Sequence, residues 1–162
     1  MDKRILYHVG KSEFKKEKYY MNLKPYSRKA HYYETDQMGI IHHANYIHWL
    51  EEARVDFMEQ MGFGYDRAVS SGIDFALLGI SCEYKSMVRF NDTVNIQVSI
   101  TSLTPAKMTV EYQITDAESG KLRAVGESRH CYFDANKKRP VSLKKVLPEL
   151  YDLFASLYAE EL

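Results

Sequence analysis

Between His43 and Met61 the apolar residues Tyr46, Trp49, Leu50, Ala53, Phe57 and Met61 recur at steps of three and four, and after Gly62 the period changes to two. The first spacing paints a single stripe on a helix of about five turns. In the second, Val94, Ile96, Val98 and Ile100 alternate with Thr93, Asn95, Gln97, Ser99 and Thr101, and Met108, Val110, Tyr112 and Ile114 repeat the pattern. Such alternation belongs to a sheet covered on one face only. A one-faced sheet has to bury its apolar side, and the long helix is the only element of matching length. The chain is therefore expected to be α+β, an antiparallel sheet wrapped around one long central helix. Asn45 is read as the helix cap and Gly62 as its left-handed terminator.

The expected order is one strand, the helix, then a meander of four long strands. Breaks fall at Asn91-Asp92, Thr104-Pro105 and Glu118-Ser119-Gly120, and the last strand runs from about Leu122 to Phe133. In the tail from Ser142 to Leu162, Val146, Leu150, Leu153, Phe154 and Leu157 keep helical spacing, with Pro148 early in the pattern. That predicts a second, peripheral helix. With 162 residues the chain fits one core, divided here into a basic extension (1–23), a main domain (24–140) and the C-terminal helix (141–162).

Twenty-two Lys and Arg balance 22 Asp and Glu, so the chain as a whole lacks the positive field that gathers nucleic acid. The first 29 residues nonetheless carry nine basic and three acidic side chains. No apolar run approaches the ~20 residues of a membrane span, and no secretory signal begins the chain. A cytoplasmic protein is expected, with Cys82 and Cys131 as reduced thiols on strands.

The segment Tyr32-Tyr33-Glu34-Thr35-Asp36-Gln37-Met38-Gly39-Ile40-Ile41-His42-His43-Ala44-Asn45-Tyr46 stands apart. In it a carboxylate, Asp36, precedes a glycine able to turn the backbone, two apolar residues able to pin the loop, and the start of the helix. The first amides of a helix have no intrahelical acceptor and lie at the positive end of its dipole. A base or nucleophile facing amides that would hold an oxyanion follows from that order. His31, His42, His43 and His48 are not read as a metal site, since no pair has the i, i+4 placement of a zinc helix. No P-loop, dinucleotide fingerprint or G-x-S-x-G elbow is present.

The stretch Tyr32 to Arg54, YYETDQMGIIHHANYIHWLEEAR, resembles the signature of the hotdog-fold acyl-CoA thioesterases of the 4-hydroxybenzoyl-CoA thioesterase family, a T-D-x-x-G loop followed by an H-x-N-Y helix start. The resemblance implies that Asp36 is the catalytic carboxylate, that the His43 backbone amide is the oxyanion donor, that Gly39 shapes the loop and that Asn45 orders the turn. It also implies an acyl-CoA or acyl-carrier-protein thioester as substrate, no cofactor or metal, and a homodimer or homotetramer with the site at the subunit seam. Where the family often has a proline after the helix and a G-D or D-D pair, Met87 and Asn91-Asp92 stand here.

Tyr32 and Ile41 are the expected apolar side of the substrate site. Lys85, Arg89 and the run Lys137-Lys138-Arg139 are expected to meet the phosphates of coenzyme A. Three other activities fit parts of the pattern: a silent acyl-CoA-binding module, a hydratase or dehydratase on the same fold, and nucleic-acid binding through the basic extension.

Overall fold

A computed structural model describes residues 23–160 together with the two short strands β1 (Ile5–Leu6) and β2 (Tyr20–Met21), which pair with each other. The remainder of the basic extension lies outside the described residues. The main sheet begins with β3 (Tyr26–Lys29), followed by a 3-10 turn at Tyr32–Glu34, helix α1 (His43–Gln60) and the short helix α2 (Tyr65–Ser70). Four long strands follow: β4 (Ile73–Tyr84), β5 (Thr93–Leu103), β6 (Lys107–Asp116) and β7 (Leu122–Asp134). The chain closes with β8 (Arg139–Pro140), α3 (Leu143–Val146) and α4 (Pro148–Glu160).

The sheet is antiparallel in the order β3-β5-β6-β7-β4, with β8 on β7. The expected four-strand meander is thus corrected: β5, β6 and β7 are consecutive neighbours, but β4 crosses over and pairs with β7 from Ile73↔Asp134 to Tyr84↔Ala124. Alternation reports which face a strand buries and carries no information about its neighbour. The far side of β4 is one edge of the sheet.

The helix stripe packs where expected. Tyr46, Trp49, Leu50, Ala53 and Phe57 are buried against Val94, Ile96, Val98 and Ile100 of β5, Met108, Val110, Tyr112 and Ile114 of β6, and Ala124 and Tyr132 of β7. Gly126 lets the layers approach, since a Cβ there would stand 2.6 Å from Leu50 Cδ1 and 3.3 Å from the Ser81 carbonyl oxygen. Gly62 ends α1 with φ +74° as the left-handed terminator requires.

The C-terminal segment departs from expectation. Pro148 starts a new helix, so the tail forms α3 and α4, consistent with proline's preference for the first helical position. It is not peripheral, because Leu143, Leu150, Phe154 and Leu157 are buried in the main core and Phe154 meets Phe75 edge-on. Val146, assigned to the apolar stripe, is exposed. Both cysteines are free and half-buried. Among the described residues no helix is long and apolar enough to cross a membrane.

Candidate functional site

The Asp36 loop is closed by backbone bonds at both ends. Thr35 and Ile41 form an isolated antiparallel bridge, the Asp36 amide donates to the Ile40 carbonyl at 2.9 Å and the Gly39 amide to the Asp36 carbonyl at 3.0 Å. Gly39 has φ +70°, a conformation a side chain would strain. The Met38 amide donates to Asp36 Oδ1 at 2.8 Å, so a turn within the loop holds the half-buried carboxylate.

This loop is tied directly to the start of α1. The Glu34 carbonyl accepts from the His42 amide at 2.8 Å and from Asn45 Nδ2 at 2.9 Å. The helix cap is His42, whose Nδ1 accepts from the Ala44 amide at 3.2 Å. Asn45, expected to cap, lies inside the first turn and donates backward instead. The cap falls three residues before the expected position, because a histidine ring nitrogen can serve in place of an amide oxygen. Among the described residues the His43 amide has no acceptor. Its side chain is exposed and stacks obliquely on His42 at 4.0 Å between ring centroids.

The neighbouring segment completes the wall. Ile41 is buried, and its amide donates to the Val88 carbonyl at 2.8 Å. It therefore pins the loop into the core. Arg89 Nη1 donates to the Gly39 carbonyl at 3.5 Å, and Tyr84 Oη donates to the His43 carbonyl at 3.0 Å. Tyr32, expected on the apolar side of the substrate site, and its neighbour Tyr33 stand on the 3-10 turn with 74% and 79% of their surfaces exposed. Tyr32 meets Phe90 edge-on at 5.6 Å, and Met38 and Met87 are also exposed, so the loop has an apolar rim.

The cations separate. Lys85 is ion-paired with Glu83 at 2.6 Å, which holds the Glu83 carboxyl below its usual range. Lys137 pairs with Asp134 at 3.8 Å. The Lys137-Lys138-Arg139 run follows the Asp134 end of β7, whereas the Asp36 loop docks at its Ala124 end through Tyr84 and Val88. Ten residues of strand separate these ends, about 33 Å at 3.3 Å per residue. Within one chain the run and Asp36 do not share a site, because β7 carries the run away from the loop.

Several residues near the loop escaped the sequence reading. Glu34 is 4% exposed, and its carboxylate accepts from Arg28 Nη2 at 2.6 Å, Trp49 Nε1 at 2.9 Å and the His31 amide at 2.8 Å. Arg28 also pairs with Glu52 at 2.8 Å, and Tyr26 donates its hydroxyl to Glu52 at 3.0 Å. A buried tryptophan needs an acceptor for its N–H, and that was the available signal. A second buried polar row lies under α1: Tyr112 Oη to Ser128 Oγ at 2.8 Å, Ser128 Oγ to His130 Nε2 at 2.7 Å, and Arg54 Nη1 3.4 Å from the same ring nitrogen. Burial, reinforced by the Arg54 charge, pulls the His130 imidazole down to about 4.

Comparison with known proteins agrees with this architecture. The family model described as the thioesterase-like superfamily matches residues 31–150. The acyl-CoA thioester hydrolase YbgC of Escherichia coli is 26% identical over 117 residues, covering 72% of this chain and 87% of the relative. A DHNA-CoA thioesterase of Staphylococcus aureus superposes with a TM-score of 0.80 at 25% identity, over 85% of this chain and 92% of that one. A hypothetical protein of Aquifex aeolicus superposes with a TM-score of 0.72 at 30% identity, over 78% and 97%. A curled antiparallel sheet around a central helix, with a family match across 120 consecutive residues, makes this chain a hotdog-fold thioester hydrolase, a member of the thioesterase-like superfamily.

Proposed function

We propose that the chain hydrolyses acyl-CoA thioesters at the Asp36 loop. The observation that supports this reading is the tie between that loop and α1: the Glu34 carbonyl, two residues before the half-buried Asp36, accepts from the His42 amide and Asn45 Nδ2 at a helix start whose His43 amide has no acceptor among the described residues. As a thioester carbonyl is attacked its oxygen gains charge, and a preset amide there lowers the barrier by about 3 kcal/mol. Asp36 either draws a proton from a water that attacks the carbonyl, or attacks it directly to form a mixed anhydride that water then hydrolyses; in both routes the C–S bond breaks and coenzyme A leaves as the thiol. Gly39 keeps the loop closed, and Asn45 holds the helix start to it. The exposed apolar rim of Tyr32, Met38, Met87 and Phe90 suits the acyl or pantetheine portion of the substrate.

The reading includes a cytoplasmic homodimer, or a tetramer built from it. Among the described residues β4 has an unpaired edge, with Leu77 and Leu78 half-exposed at its centre, a surface soluble proteins cover. Two copies joined antiparallel along β4 about a two-fold axis set the Ile73 end of one strand against the Tyr84 end of the other. The partner's Lys137, Lys138 and Arg139 then come toward the Asp36 loop, joining Lys85 and Arg89 around the coenzyme A phosphates.

The test is thiol release from short, long and aromatic acyl-CoAs by the wild type and by Asp36→Asn. Loss of the base is expected to lower kcat about 100-fold or more. An unchanged rate for Asp36→Asn would remove Asp36 from the chemistry, and binding without turnover by the wild type would instead favour a silent acyl-CoA-binding module.

A further inference from the structure

We infer that Glu34 is the positioning residue that sets Asp36 against the start of α1, an inference that rests on Asp36 being the reacting carboxylate. Glu34 is two residues upstream of Asp36 and holds α1 at two heights. Its carbonyl takes the His42 amide at 2.8 Å and Asn45 Nδ2 at 2.9 Å in the first turn, while its carboxylate takes Trp49 Nε1 at 2.9 Å one turn later. The same carboxylate is anchored to β3 by Arg28 Nη2 at 2.6 Å and to the preceding turn by the His31 amide at 2.8 Å. Strand, turn and helix thus converge on one side chain that is almost wholly removed from solvent.

The chemistry of that side chain is specific. All three of its partners are donors, and the two oxygens of the carboxylate accept from every one of them. Glutamine has the same length but turns an NH2 group toward a donor, and aspartate is one methylene too short to span from the turn to Trp49. Two Cα–Cα steps of 3.8 Å keep Asp36 within about 8 Å of Glu34. A tilt of the clamp therefore reaches the Asp36 loop through two residues of backbone and through the His42 amide bond to the Glu34 carbonyl. Displacing a reacting group by about 1 Å costs up to roughly 100-fold in rate. Substrate affinity, on the proposed reading, depends on the rim and the cations, with whose side chains Glu34 shares no hydrogen bond or ion pair among the described residues.

The experiment compares Glu34→Gln and Trp49→Phe with the wild type and with Asp36→Asn, using one acyl-CoA substrate that the wild type turns over. Each variant is first checked for a cooperative thermal transition above the assay temperature. Glu34→Gln is expected to lower kcat about 10- to 100-fold while KM and the inhibition constant for free coenzyme A stay within about twofold. Trp49→Phe keeps an aromatic ring in the core, removes one donor and is expected to lower kcat in the same sense by less. General loosening of the fold would move KM and the inhibition constant together with kcat. Should Asp36→Asn be inactive while folded Glu34→Gln keeps its kcat, or loses only affinity, the positioning role is overturned with the proposed function intact. If Glu34→Gln fails to fold, an unchanged kcat in Trp49→Phe overturns it. Activity retained by Asp36→Asn refutes the underlying reading instead.

Discussion

Replacing His130 by glutamine should remove the acid sensitivity that one buried imidazole gives the fold between pH 7 and pH 4. His130 is wholly buried on β7, bonded through Nε2 to Ser128 and facing Arg54 of α1. The imidazole has to enter this site neutral, chiefly because burial strips water from the charged form and secondarily because Arg54 repels it, with a Phe75 backbone contact pulling weakly the other way. Its ionisation falls from 6.5 in an exposed chain to about 4 in the fold, a difference worth about 3 kcal/mol at 1.36 kcal/mol per unit. Because the unfolded chain binds the proton more readily, the sign is destabilising in acid. Stability is complete above pH 6.5, declines as pH falls through the interval down to about 4, and has lost the full amount below that. Glutamine retains a hydrogen-bonding group for Ser128 and does not titrate. Urea unfolding of wild type and His130→Gln at half-unit steps from pH 7 to pH 4 gives two curves whose difference isolates this group. The wild type is expected to lose about 3 kcal/mol more than the variant across that range. Parallel curves, differing by a constant offset, would show that His130 takes up its proton as readily in the fold as in the unfolded chain, and the reasoning would fail.

Two further outcomes follow from the packing and the sheet edge. Gly126→Ala places a methyl group against Leu50 Cδ1 and the Ser81 carbonyl, so a loss of about 1–3 kcal/mol is expected in denaturant unfolding, and none would mean that α1 is not pressed on β7 there. If the cations act across a two-fold pairing of β4, co-expressed Asp36→Asn and Lys137→Ala/Lys138→Ala/Arg139→Ala chains should recover about a quarter of wild-type activity, because half the dimers are mixed and each mixed dimer has one intact site. No recovery in chains shown to mix would place the run outside the substrate site.

The helix stripe from Tyr46 to Phe57, the alternation on β5 and β6, and the closure of α1 at Gly62 were all readable in the sequence. So was the place of Asp36 and Gly39 in the segment that leads into α1. These features depend on residues close together in the chain, where periodicity and backbone preference act directly. Three things required the folded chain. The crossing of β4 to the far side of β7 depends on which edges remain open once the meander has formed. The burial of Leu150 and Phe154 depends on a core surface that several elements build together. The meeting of Arg28, Glu34 and Trp49 joins residues up to 21 positions apart; no local pattern announces such a contact, because a buried carboxylate is stable only where distant donors are brought to it.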